Sequence, residues 1–216
     1  HDLRSPLTAV MGHADMIENL SNRDMDPDKI RQYAQNLAAG TKNLTELVEN
    51  LLKWAQLQMD EIAFSPLKIP LSEVAAKAVQ PLLVGAGQKE VSIVLDVPET
   101  DVFADLDMVQ TIIRNLVNNS IKFSHRGGTI TVSCANLSTS EIDILVTDNG
   151  VGMPDNVVKN LLSGATVKST FGTSHELGTG LGLRICKNLI AAHDSSLVIQ
   201  SEPGKGSNFS FKLPRA

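Results

Sequence analysis

Across the first 55 residues apolar side chains return at alternating steps of four and three, and that rhythm stops at Phe64-Ser65-Pro66. Leu3, Leu7, Val10, Ala14 and Ile17 make one stripe. Ile30, Ala34, Leu37, Thr41, Leu44, Val48, Leu51 and Ala55 make a second, widened by Leu47, Leu52 and Trp54. A mean period near 3.5 belongs to helices that pack along a coiled-coil type seam. The polar stretch from Ser21 to Pro27 separates the two stripes, and Asp26 followed by Pro27 is the pattern of an N-cap with proline at the first helical position. Two antiparallel helices bury too little alone, so the hairpin is expected to pair with a second copy into a dimeric four-helix bundle. The break places a domain boundary at residue 64, giving units 1–64 and 65–216 joined by a short linker.

The same seam orients the first residues. With Leu3 at a d position, His1 falls at b and Ser5 at f, both on the solvent side, with Ser5 one turn from His1. His1-Asp2 sets an imidazole beside a carboxylate, an acid/base pair in miniature and also a common solvated surface pair.

After residue 66 the periodicity alternates in type. A strand is expected at Leu67–Ile69, a helix at Leu71–Val84, a strand at Val91–Leu95 and a helix at Leu106–Phe123. Strands follow at Thr129–Ala135 and Glu141–Thr147, then helices at Asn156–Leu162 and Leu181–Ala192, and a closing hairpin of Leu197–Ser201 with Asn208–Leu213. Helices interrupting a sheet whose later strands join as hairpins give an α+β class, with helices over one face of the sheet. A net charge of −5 argues against nucleic acid or an acidic membrane surface as the main partner, so any polyanion must be met by local donors. Cys134 and Cys186 lie far apart in apolar runs and read as buried free thiols. No apolar run is long enough to span a bilayer, and neither a signal peptide nor an internal repeat is visible.

Three motifs lie on this second unit. On the helix Leu106–Phe123, Asn115, Asn119 and Lys122 occupy i, i+4 and i+7, one face on which amide oxygens suit Mg²⁺ and a lysine suits phosphate; a plain solvated face has the same pattern. In Asp148-Asn149-Gly150-Val151-Gly152, the period of two that points Ile142, Ile144 and Val146 inward also points Asp148 inward. An unpaired carboxylate so placed needs a donor, which the exocyclic amine of a purine supplies, and Gly150 and Gly152 leave room for a flat base near the backbone. Gly178-Thr179-Gly180-Leu181-Gly182-Leu183 is a glycine-rich turn entering a helix, a phosphate site by its free N–H groups and helix dipole, although the GxGxxG and GxxxxGK[ST] spacings are both absent.

In that order and combination, His-Asp-Leu-Arg-Ser-Pro-Leu, then Asn119 with Lys122, then DNGVG, then GTGLGL, the chain resembles the sensor histidine kinases of two-component signalling over essentially its whole length. The resemblance implies a dimerisation and phosphotransfer hairpin followed by an α/β sandwich of the gyrase, chaperone and histidine-kinase ATPase type. It implies His1 as phosphoacceptor, Asp2 as its general base, Asn119 as a Mg²⁺ ligand, Lys122 as a phosphate contact and Asp148 as the adenine reader. Asn115, Phe123, Gly150, Gly152, Gly178, Thr179, Gly180, Leu181 and Gly182 would line the nucleotide and its lid.

ATP, Mg²⁺, a response-regulator receiver domain and a second copy of the chain are the implied ligands and partners. The resemblance also implies that Ser5 stands where the family positions a polar side chain to orient water for receiver dephosphorylation. One departure stands out: the family's arginine near the γ-phosphate is missing from Leu161–Lys168, leaving Lys168 as a substitute without a bidentate fork. A nucleotide-binding dimeric scaffold of weak activity is the alternative that this departure motivates. Residues 163–177, rich in Gly, Ser and Thr, are expected to form a mobile lid. A phosphoacceptor at residue 1 implies a fragment of a longer parent; a cytoplasmic location is expected, without membrane contact by the fragment, and a membrane anchor on the parent is left open.

Overall fold

The structure, a computed structural model, describes residues 4–20, 27–58, 64–137, 140–163, 172–173 and 182–216. It divides into two compact units, His1–Glu61 and Ile62–Ala216.

The first unit holds α1 (Arg4–Leu20) and α2 (Pro27–Gln58), the latter beginning at the proline expected to open it. The seam is not the expected one throughout. On α2 the half-buried positions are Tyr33, Leu37, Gly40 and Leu44, while Ile30, Ala34, Thr41 and Val48 are exposed. A Cβ on Gly40 would lie 2.9 Å from Cγ2 of Val10, so the absence of a side chain there lets α1 approach closely. The apolar arc of α2 is wider than one neighbouring helix covers, and α1 takes only one edge of it. Thr41 turns its hydroxyl back to the carbonyl of Leu37 at 2.9 Å.

The second unit runs β1 (Leu67–Pro70), α3 (Leu71–Val79), a single 3-10 turn (Gln80–Leu82), α4 (Leu83–Gln88), β2 (Ser92–Asp96), β3 (Asp101–Ala104) and α5 (Leu106–Phe123). It continues with β4 (Thr129–Ala135), β5 (Glu141–Asp148), α6 (Asp155–Ser163), α7 (Gly182–Ala191), β6 (Val198–Glu202) and β7 (Gly206–Pro214). Five strands form one sheet in the order β2-β4-β5-β7-β6, with β2 parallel to β4 and every other pair antiparallel. Strand β3, too short to show a period, was not expected from the sequence; it pairs with β1 in a separate two-stranded sheet. The helix expected over Leu71–Val84 is broken where Pro81, lacking an N–H, lies in the 3-10 turn.

The core lies between one face of the large sheet and the helices. Ile130 and Val132, Ile142, Ile144 and Val146, Phe209, Phe211 and Leu213 point inward from alternate positions of their strands. Val109, Ile112, Ile113, Leu116 and Val117 of α5 meet them, with Ile185, Cys186, Leu189 and Ile190 of α7 alongside. Burying side chains of this size contributes about 1.5–3 kcal/mol each. Of the two thiols only Cys186 is fully buried; Cys134 is half-buried. Burial pushes Cys134 up to about 11 and Cys186 up to about 12.

Both ends of α5 are tied down. At its start the Asp105 carboxylate accepts from the backbone N–H of Met108 at 3.0 Å and from that of Ser65 at 3.1 Å. His193 donates from Nδ1 to the carbonyl of Leu189 at 2.8 Å, which leaves Nε2 to accept from the Asp105 backbone N–H at 3.1 Å. At the other end the buried Lys89 ammonium donates to the carbonyls of Ile121 at 2.8 Å and Lys122 at 2.7 Å, meeting the negative end of the helix.

Candidate functional site

Asp148 ends β5 on the inward phase, after Ile142, Ile144 and Val146, and is 5% exposed. It is not the unpaired carboxylate that the alternation alone suggests. Oδ1 accepts from the backbone N–H of Gly150 at 2.9 Å and of Ser207 at 3.2 Å, and Oδ2 accepts from the Ser120 hydroxyl at 3.0 Å. Burial pushes the carboxyl above its ordinary value, and the donors at Gly150, Ser120 and Ser207 oppose that shift by favouring the charged form.

The glycines of this loop answer to the protein's own backbone before any ligand. A Cβ on Gly150 would lie 2.4 Å from the carbonyl oxygen of Phe123, which accepts from the Val151 N–H at 3.1 Å. Gly152, with φ of +64°, would set a Cβ 2.0 Å from the carbonyl oxygen of Glu202. Their absent side chains therefore dock the loop on the end of α5 and on the β6–β7 turn.

Asn115, Asn119, Lys122 and Phe123 are all half-buried on the C-terminal half of α5. Asn115 donates from Nδ2 to the carbonyl of Thr111 at 3.0 Å, and the Lys122 ammonium lies 4.8 Å from the centre of the Phe123 ring, a cation–π contact. A Cβ on Gly182 would be 3.1 Å from Oδ1 of Asn115, so the end of the glycine-rich turn reaches the asparagine face of α5. Thr173 lies against the same helix end: its N–H donates to the Lys122 carbonyl at 3.1 Å and its hydroxyl to that of Ser124 at 2.6 Å. Two of the three motifs thus meet through Ser120 and Asp148, and the third arrives through Gly182.

Several expected site residues lie outside the described residues: His1, Asp2, Lys168, Gly178, Thr179, Gly180 and Leu181, together with most of the expected lid. Ser5 belongs to α1 by its backbone, and its side chain is outside the description. Ser120, Ser207, Thr173 and Lys89 belong to the site or its supports and were missed. Ser120 left a signal, a hydroxyl four residues after Leu116 on the buried stripe of α5. Ser207 left none locally, since only the strand register sets it opposite Asp148.

Residues 104–216, more than half of the chain, match the family described as histidine kinase-, DNA gyrase B-, and HSP90-like ATPase. The chain belongs to that ATPase family. Residues 1–59 match the His Kinase A (phospho-acceptor) domain, so the chain carries the two-domain make-up of a sensor histidine kinase. The chain is 28% identical over 219 residues to the adaptive-response sensory kinase SasA of Synechocystis sp., an alignment covering 99% of this chain and 57% of SasA. It therefore spans little more than half the length of that curated relative.

In fold it is similar to Acinetobacter baumannii histidine kinase AdeS, with a TM-score of 0.76 at 20% identity over 99% of this chain and 97% of that one. It is also similar to histidine kinase ThkA, solved in complex with response regulator protein TrrA, with a TM-score of 0.75 at 18% identity over 100% of this chain and 59% of that one. The α+β class and the ATPase-type sandwich of the second unit are those of this family, and the family is an ATP-binding one. Among the described residues no helix is long and apolar enough to cross a membrane.

Proposed function

We propose that this kinase core phosphorylates His1 with ATP and passes the phosphoryl group to an aspartate of a response-regulator receiver domain. Residues 1–64 serve as the dimerisation and phosphotransfer hairpin, paired with a second copy in a four-helix bundle, and 65–216 as the catalytic domain. The observation that carries the proposal is the buried Asp148 carboxylate, kept as an acceptor by three donors beside the asparagine and lysine face of α5. A purine amine suits that acceptor, and the polar end of α5 suits the phosphates that follow from it.

Each residue then has a stated task. Asp148 takes the amine of adenine; Lys122 and Asn115 meet the phosphates; Gly178, Thr179, Gly180, Leu181 and Gly182 offer backbone N–H groups, with Lys168 as a further cation. Phe123, Gly150 and Gly152 shape the pocket wall. The half-buried Asn119 amide, a hard oxygen donor one turn from Asn115 and next to a lysine, fits Mg²⁺, which when bound neutralises charge on the phosphates.

A ring nitrogen of His1 attacks the γ-phosphorus in line. The N–P bond forms as the bond to the β,γ-bridging oxygen breaks, and ADP leaves with that electron pair. Asp2 accepts from the other ring nitrogen, fixing the tautomer and steadying the positive ring. Ser5, one turn on, orients water when the receiver is dephosphorylated.

Incubation with γ-labelled ATP tests the proposal. Acid-labile label is expected on the wild-type chain and absent from His1→Ala. Label that survives this substitution, or free phosphate released without any labelled protein, overturns it. An unchanged rate of receiver dephosphorylation in Ser5→Ala overturns the task given to Ser5.

A further inference from the structure

Ser120 is 1% exposed on the buried stripe of α5, and its hydroxyl donates to Oδ2 of Asp148 at 3.0 Å. The turn that carries it is fixed, because the Ser120 carbonyl accepts from both the N–H of Ser124 at 3.0 Å and its hydroxyl at 2.7 Å. An ionised carboxylate offers about four lone-pair directions. The N–H groups of Gly150 and Ser207 fill the two on Oδ1, and the Ser120 hydroxyl takes one of the two on Oδ2. A single direction is left over for a ligand.

We propose that Ser120 is a specificity-determining positioning residue for the base: its hydroxyl keeps Oδ2 of Asp148 an acceptor, so the pocket takes a purine bearing an exocyclic amine and refuses one bearing a carbonyl in its place. This rests on the assignment of Asp148 to the adenine amine. Burial favours the neutral carboxyl, and the three donors oppose it by favouring the charged form. With the hydroxyl removed, Oδ2 has no donor of its own while Oδ1 keeps two, so the balance moves toward a proton on Oδ2. That oxygen then donates, and a donor suits a carbonyl. A serine that merely filled space would leave the choice of base unaltered.

The test is calorimetric titration of the full chain with Mg·ADP and with Mg·IDP, whose hypoxanthine carries a carbonyl where adenine carries the amine. Wild type is expected to prefer ADP by at least about a hundredfold, since a site built for a hydrogen bond rejects the analogue that cannot make it. In Ser120→Ala, ADP binding weakens about tenfold and IDP binding does not, so the preference narrows by about the same factor. Ser120→Cys, close in volume and a weak donor, falls between the two.

A wild type that binds ADP and IDP alike overturns the assignment of Asp148. A wild type that prefers ADP, together with a Ser120→Ala that keeps the full preference, overturns the role of Ser120 alone. Should Ser120→Ala fail to fold by circular dichroism, Ser120→Cys decides: a narrowed preference supports the role and an unchanged one overturns it.

Discussion

The buried stripe of α5 and the outer stripe of α2 differ in who covers their apolar residues. In the second unit Ile112, Ile113, Leu116 and Ile130 are 0% exposed, and even the polar Asp148 has its partners within the unit. In the helical unit Ile30 and Val48 remain 41% and 40% exposed on a stripe that keeps regular helical spacing. A hydrophobic period states which faces must be covered, not what covers them. On the inner face of the large sheet and the buried stripe of α5 the chain answers that question itself; on α2 it answers only along the edge facing α1.

The sharpest way to break the self-sufficiency of the second unit is at the Asp148 carboxylate. Asp148→Asn keeps the shape but sets an amide against donors already in place, and ADP affinity is expected to fall by at least about a hundredfold in calorimetric titration. Retained affinity would show that the buried group serves the fold alone.

The same pair of proteins yields a pH signature in the absence of nucleotide. Because burial raises the folded-state pKa of Asp148 above its ordinary value, the folded form binds more protons between the two values. Its contribution to stability is fully present below the ordinary value and is lost as pH rises through the raised one. The melting temperature of wild type minus that of Asp148→Asn is therefore expected to grow as pH falls across that window. A difference that shrinks on acidification would contradict the burial argument.

How much of this was legible in the sequence follows from the range of each interaction. Helix α5 was read at both ends, Leu106 and Phe123, since its apolar spacing is local. The inward phase of Asp148 was legible because a strand alternates strictly. Its three donors were not, because Ser120, Gly150 and Ser207 come from three places in the chain, joined only by register and helix packing. Lys89 escaped for the same reason: a lysine before a strand gives no sign that it caps a helix more than 30 residues on. On α2 the local pattern was ambiguous instead, since Leu37 and Leu44 belong equally to the seam with Ile30 and Val48 and to the observed one with Tyr33 and Gly40.

That ambiguity is open to experiment. If a second copy covers the exposed edge of α2, Ile30→Asp sets a charge in an apolar seam, and each buried side chain of this size contributes about 1.5–3 kcal/mol. Sedimentation equilibrium should then show dimer affinity weakened about tenfold or more, while ADP affinity of the second unit stays within about threefold. An unaltered dimer would mean that the copies meet along another face.

The smallest effect expected lies at the far end of α5. Asp105→Ala removes the acceptor for the N–H groups of Met108 and Ser65 but leaves the backbone bond from Asp105 N–H to His193. Loss of such a cap costs about 1 kcal/mol, a drop in melting temperature of roughly 2–4 °C for a unit of this size. Asp105 and Lys122 are separated by about 25 Å along the helix at 1.5 Å per residue. Between them the buried stripe from Val109 to Val117 is clamped by sheet and α7, and Lys89 holds the other end. ADP affinity should therefore change less than about threefold. A large loss of affinity at so modest a loss of stability would mean that α5 moves as a rod, and that its nucleotide face is set by the Asp105 end and the linker root at Ser65 rather than by Lys89.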